Sequence, residues 1–271
     1  MILVNGQPEN RINISDRGLQ YGDGLFETIA YRNGTAEFLD AHLARLVLGC
    51  ERLSIAFHQL EKLRDELDLV CQYLATNDAV IKIIVTRGSG GRGYFTDNTV
   101  EPTRIISTHS FPNHPDNHKI TGVALICCQQ NLAENTTLAG IKHLNRLEQV
   151  LARNEWNTLD VTEGLMFDNH GNLIEGTMSN VFFVKSGLLY TPDLSKAGVA
   201  GIMRAEILRL AQKEGMIVEE VAITKTELAT MDEVFICNSV IGIWPVIQID
   251  DIIYPIGNIT KRLQNALLQT K

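Results

Sequence analysis

The sequence contains no apolar run that approaches the roughly 20 residues a membrane-spanning helix needs, so it does not read as a membrane protein. Positive charge is short: 24 Lys and Arg stand against 32 Asp and Glu, a formal net charge of −8. Nucleic acid and anionic membrane surfaces are met by clustered Lys and Arg, so neither is an expected partner. Cysteine is scarce and odd in number, five in all, with Cys127 and Cys128 adjacent. That is not a disulfide framework, and a reducing cytoplasm is the expected location. CxxC, HExxH and paired His/Cys spacings are missing, so no metal is expected. GxSxG is missing too, and Ser89 has no defined partners, which leaves serine-nucleophile chemistry without support. Residues 1–11 carry polar Asn5, Gln7 and Glu9 and do not read as a signal-peptide core. What remains is ordinary: 271 residues, 45% hydrophobic and 21% charged, the balance of a globular protein with one large or two modest domains.

The opening Ile2-Leu3-Val4 and Leu25 to Tyr31 read as strands, and Asn33-Gly34 as a hairpin turn. Asp40 is placed to cap a helix carrying Leu43, Leu46, Val47, Cys50 and Leu53 on one face. A second helix carries Leu60, Leu63, Leu67, Val70, Cys71 and Leu74, and residues 79–87 form a β-branched strand. Residues 111–119, with two prolines and several turn formers, read as a linker. Beyond it, residues 144–156 read as a helix buried through Leu144, Leu147, Val150 and Leu151. Strands are expected at 164–167, 181–184 and 233–237, a helix at about 201–214, and a capping box at Thr224 and Glu227. Helices and strands alternate without a βαβ rhythm. The expected fold class is therefore α+β, in two mixed domains at 1–110 and 120–271.

Single residues weigh little alone. Gly88-Ser89-Gly90-Gly91-Arg92-Gly93 follows a strand, but poor helix formers come after it, so it does not read as a nucleotide loop. Lys142 lies between a small apolar run and a helix start, where partial desolvation would make its amine a nucleophile for a carbonyl; an isolated lysine is by default a surface residue. Glu175, at a strand end, faces water by default, and so does Arg45 on its helix. Gly201-Ile202-Met203 opens a helix and presents free backbone N–H groups, as every helix start does. His109, His114 and His118 cluster around the linker and read as solvated.

Taken in order, these segments resemble the fold-type IV pyridoxal-phosphate enzymes. The resemblance is carried by Tyr21-Gly22-Asp23-Gly24-Leu25-Phe26-Glu27, His42-Leu43-Ala44-Arg45-Leu46, Gly140-Ile141-Lys142-His143, Glu175-Gly176-Thr177-Met178-Ser179-Asn180 and Ile236-Cys237-Asn238-Ser239. It implies pyridoxal 5'-phosphate as cofactor, attached to Lys142, with Glu175 at the ring nitrogen. It further implies that Arg45, Ile202, Met203, Asn238 and Ser239 hold the phosphate, and that the protein is a homodimer. The Gly88-to-Tyr94 and Gly140-to-Glu148 segments most resemble the 4-amino-4-deoxychorismate lyases of the group. That subgroup implies a dianionic small-molecule substrate, with Arg92 as a candidate for one carboxylate. Glu27 after Phe26 is an aminotransferase-like feature, which keeps a D-amino acid or branched-chain aminotransferase open. A non-catalytic anion-binding homologue is the third reading, and the pairing of Lys142 with Glu175 weighs against it.

Overall fold

A computed structural model describes residues 1–271 except Arg92, 97–99, Asp116, Leu159 and Lys271; all counts below are of the described residues. The chain divides into two compact units. The first holds Met1–Pro112 and Ile141–Asn145, and the second holds Asn113–Gly140 and Arg146–Lys271. Each mixes helices with a sheet, as α+β implies.

The first unit contains β1 (Ile2–Val4), β2 (Gln7–Pro8), α1 (Arg17–Tyr21), β3 (Gly24–Arg32), β4 (Thr35–Ala36), α2 (Leu39–Arg52), α3 (Leu60–Leu74), β5 (Ala79–Thr86) and β6 (Thr103–His109). Its six strands run in the order β2-β1-β6-β5-β3-β4, all neighbours antiparallel. Alternation along β3 sorts its side chains: Leu25, Glu27, Ile29 and Tyr31 are buried, while Phe26 and Thr28 on the other face are half-buried. The buried face receives α2 and α3 through Leu43, Leu46, Cys50, Leu63, Leu67, Val70 and Leu74. Each such leucine contributes on the order of 1.5–3 kcal/mol when taken from water. The Asn33-Gly34 turn is formed as expected, with φ of 51° and 78°, the two positive values a tight hairpin requires. Asp40 is not the cap of α2. The helix starts after Phe38, and Asp40 lies in its first turn, where a negative charge meets the positive end of the helix dipole.

The second unit contains α4 (His118–Thr121), β7 (Val123–Cys127), α5 (Leu147–Arg153), β8 (Glu163–Phe167), β9 (Leu173–Gly176), β10 (Asn180–Lys185), β11 (Leu188–Pro192), α6 (Ile202–Lys213), β12 (Val218–Val221), a 3-10 turn at Lys225–Thr230, β13 (Glu233–Asn238), β14 (Gly242–Ile249), β15 (Ile252–Ile253) and α7 (Asn258–Leu268). Eight strands follow the path β12-β11-β10-β13-β14-β7-β8-β9, and β15 pairs with β14. Leu125, Leu165, Phe183, Val234, Ile236 and Val246 from these strands pack into one core. Two expectations fail here. Leu147, Val150 and Leu151 of α5 are 76, 52 and 56% exposed, because Ala152 alone on that short helix turns into the core. His114 and His118 are half-buried, not solvated: both rings meet Trp244 edge-on, at 5.0 and 4.9 Å. Among the described residues, no helix is long and apolar enough to cross a membrane.

Candidate active site

Lys142 reaches the first unit through backbone pairing. The Phe26 N–H donates to the Lys142 carbonyl at 3.0 Å, and the Leu144 N–H donates to the Gly24 carbonyl at 2.9 Å. Short polar contacts of this kind set the segment along β3 and bring the Lys142 amine over the Phe26 ring, 4.4 Å from its centroid. The Lys82 amine lies 5.5 Å from the same centroid. Sequence reading missed Lys82 as a neighbour; the strand register that pairs Lys82 with Thr28, two residues beyond Phe26, is what brings it there.

On the opposite face of β3, Glu27 is 1% exposed and explains the placement of Arg45. Arg45 donates to both of its carboxylate oxygens, at 2.8 Å from Nε and 2.5 Å from Nη2. His42 Nδ1 lies 2.6 Å from Glu27 Oε2. Burial opposes the charge on Glu27, but the hydrogen bonds from His42 and Arg45 outweigh it and hold the carboxyl below its usual range. Burial drives His42 the other way, below its ordinary 6.5; the charges of Arg45 and Lys142 assist, and Glu27 resists. The imidazole is thus neutral near pH 7, and its Nδ1–H donates a hydrogen bond to the Glu27 carboxylate. Glu27, the aminotransferase-like feature of the sequence, is in the fold the group that aims the Arg45 guanidinium.

Taking one partner out of such a buried cluster leaves an unmatched charge. Glu27→Ala should therefore lower folding stability by roughly 3–5 kcal/mol, read from urea unfolding. In the wild type, His42 adds a pH dependence of known sign. Its folded pKa is depressed, so the unfolded chain binds the extra proton first. Stability should fall as pH drops below about 6.5, the ordinary histidine value, toward the lower folded value. A His42→Gln protein with the same acid slope as the wild type would show that another group sets it.

In the second unit, Glu175 stands on β9 and is buried. Its Oε2 accepts the Val199 N–H at 2.8 Å, and Asn180 Nδ2 donates to the Val199 carbonyl at 2.9 Å. Residue 199 is gripped on both sides, which fixes the approach to α6. That helix opens at Ile202 and Met203 with Gly201 as its N-cap, and no side chain caps its first N–H groups. Asn180 packs closely there: a Cβ at 201 would lie 2.0 Å from its Oδ1, so a larger residue would have to displace the side chain that holds the Val199 carbonyl. The Asn238 side chain has a structural task. Its Oδ1 accepts the Val240 and Ile241 N–H groups at 2.8 and 2.9 Å, and its Nδ2 donates to the Met178 carbonyl at 3.1 Å. Ser239 lies in the turn that Asn238 closes. The first unit thus gathers Arg45 and Lys142, and the second gathers Glu175, Ile202, Met203, Asn238 and Ser239. Arg92 lies outside the described residues.

Each unit by itself has groups that suit part of a phosphorylated pyridine aldehyde. In the second, a helix start with no side-chain cap suits a phosphate dianion and a buried carboxylate suits a protonated ring nitrogen; in the first, an amine held on an aromatic face suits an aldehyde. The Amino-transferase class IV family profile matches residues 24–249. The chain belongs to the class IV aminotransferase family. Its cofactor is pyridoxal 5'-phosphate. The chain is 39% identical over 271 residues to an aminodeoxychorismate lyase of Vibrio harveyi, covering 98% of this chain and 99% of that one. It is 48% identical to a 4-amino-4-deoxychorismate lyase of known structure from Pseudomonas aeruginosa, with a TM-score of 0.95 over 99% of this chain and 98% of that one. A putative branched-chain-amino-acid aminotransferase of Methanocaldococcus jannaschii is 33% identical over 97% of this chain and 93% of its own length. Class IV aminotransferase members therefore include both reaction types that the sequence left open.

Proposed function

We propose that the protein is a 4-amino-4-deoxychorismate lyase, releasing pyruvate and forming 4-aminobenzoate, a folate precursor. The observation that carries this reading is the end-to-end similarity to two lyases, at 39 and 48% identity, above the 33% shared with the branched-chain aminotransferase relative. A homodimer, implied by the family resemblance, and a cytoplasmic location, suggested by the cysteine usage, accompany the reading.

When bound, the cofactor supplies an electron sink for negative charge at the substrate's amine-bearing carbon. The chain's own residues do the rest. Lys142 would hold the cofactor through its amine, and the same amine, when free, would take the proton from C4 as a general base. Glu175 holds a proton at the ring nitrogen. Arg45 and the first N–H groups of α6 bind the phosphate, with Asn238 and Ser239 completing that end of the site. Arg92 is our candidate for a substrate carboxylate. Loss of the C4 proton and cleavage of the bond to the enolpyruvyl oxygen leave an aromatic ring. The enolate released takes back one proton and departs as pyruvate, so atoms and electrons balance with no co-reactant.

That balance gives the test. Purified holoenzyme should convert many equivalents of 4-amino-4-deoxychorismate to 4-aminobenzoate with no keto acid added, because a lyase returns its cofactor unchanged. An aminotransferase would stop after one equivalent of amino donor until a keto acid was supplied. Stoichiometric amination of the cofactor by D-alanine or leucine, relieved by 2-oxoglutarate and without 4-aminobenzoate, would overturn the proposal.

A further inference from the structure

Glu163, at the start of β8, is fully buried, and among the described residues it forms no ion pair with Lys or Arg. Its carboxyl oxygens are met by hydrogen-bonding groups alone. Oε1 accepts the Gly164 N–H at 2.9 Å, the Thr177 N–H at 3.1 Å and the Thr177 hydroxyl at 2.5 Å. Oε2 accepts the Met178 N–H at 3.1 Å and the Ser179 hydroxyl at 2.9 Å. Four of the five donors come from three consecutive residues, the connection between β9 and β10.

That connection is where the second unit's site residues are tied together. Glu175 ends one side of it and Asn180 begins the other, and both grip Val199. Asn238 holds the Met178 carbonyl in its middle. The turn is tight: the Gly176 N–H donates to the Ser179 carbonyl at 2.7 Å, and a Cβ at Gly176 would lie 2.4 Å from Ser179 Oγ and 3.1 Å from Glu163 Cδ. The carboxylate thus sits directly against the turn, beside the residue that follows Glu175.

We propose that Glu163 is a positioning residue of the cofactor site, its buried carboxylate fixing the 176–179 turn so that Glu175, the start of α6 and Asn238 keep one mutual geometry. The inference rests on the cofactor roles assigned above to Glu175 and α6. The reason for a carboxylate is acceptor count. An ionised carboxylate is acceptor-only on both oxygens; the Ser179 hydroxyl can turn to accept but the Met178 N–H cannot, so a glutamine or a protonated acid sets a donor against that N–H. Burial holds the Glu163 carboxyl above its usual range, and the bonds from Thr177, Gly164, Ser179 and Met178 oppose that only in part. A donor set against the Met178 N–H would displace the turn without emptying the core, so the fold should outlast the geometry.

The test compares wild type with Glu163→Gln in three measurements. Pyridoxal phosphate titration should show an affinity loss of about tenfold or more, as expected when charge-assisted hydrogen bonds are lost. The absorption band of the bound cofactor should shift as Glu175 loosens from the ring nitrogen. Without cofactor, the Met178 and Val199 amides should exchange hydrogen faster than in wild type, while core strands β10 and β13 exchange at wild-type rates. If Glu163→Gln does not fold, Thr177→Val and Ser179→Ala each remove one hydroxyl donor and should show the same three changes on a smaller scale. Wild-type affinity, spectrum and exchange in folded variants would overturn the proposal. A wild-type protein that itself fails to bind pyridoxal phosphate would instead overturn the cofactor roles on which it rests.

Discussion

Lys142→Ala protein should fold, bind pyridoxal phosphate only reversibly and show no measurable turnover. The loss should be at least about 10²–10⁴-fold, the range for removing a positioned general base, and larger if covalent attachment also matters. Stability should hardly change, because the segment is kept in place by its backbone: the Phe26 N–H and the Leu144 N–H make their bonds to it and to β3 whatever the side chain at 142. Borohydride treatment of the wild type should fix the cofactor on a peptide that contains Lys142. The informative competitor is Lys82, whose amine lies over the same Phe26 ring. Both amines share that ring, so proximity to Phe26 does not choose between them. Lys142 is chosen because backbone bonds define its segment, and because the family resemblance matches at that position. A label on Lys82, or full turnover in Lys142→Ala, would transfer the role.

Much of this arrangement was legible beforehand, for reasons that differ from element to element. The β3 strand and its hairpin were readable because alternation and the Asn-Gly turn are local properties. The capping box at Thr224 and Glu227 was readable for the same reason; the Thr224 N–H donates to Glu227 at 2.8 Å. The α5 face was misread because periodicity shows that a helix has an apolar side, but not what covers it. Leu147, Val150 and Leu151 form such a side, and in this chain it stays open. Glu27 and Glu163 were opaque for a deeper reason. A buried carboxylate is defined by its donors, and those of Glu27 come from α2 while those of Glu163 come mostly from the turn after β9. Glu163 falls just outside the strand expected at 164–167 and gave no signal. For Glu27 a signal was present, an acidic residue inside an apolar strand and in phase with its buried positions. Such a residue must be paired or strongly hydrogen-bonded, since burying it otherwise costs far too much. The spacing alone could not name the partner.

Glu175→Gln should keep the fold and the covalent attachment at Lys142 but lower kcat by roughly 10–100-fold, as expected when a hydrogen bond to a charged group, about 1.5–3 kcal/mol, is lost in the transition state. The substitution is nearly isosteric, and the amide oxygen can still accept the Val199 N–H that Glu175 Oε2 accepts at 2.8 Å. The start of α6 therefore keeps its place, and phosphate binding should persist. What changes is charge. A neutral amide does not hold a proton on the ring nitrogen, and an unprotonated ring is a poorer acceptor for the electrons left when the C4 proton departs. Because the effect grows with charge that develops only as the reaction proceeds, KM should move little while kcat falls. Arg146 sharpens the argument. Burial holds its pKa below the ordinary value, and the charges of Glu175 and Glu148 resist that, so removing the Glu175 charge also leaves Arg146 less well compensated. Glu175→Asp keeps the charge but retreats by one methylene, so it should recover part of kcat if charge is what matters. Equal losses in Gln and Asp would assign the role to position instead, and wild-type kcat in Gln would remove Glu175 from the ring nitrogen altogether.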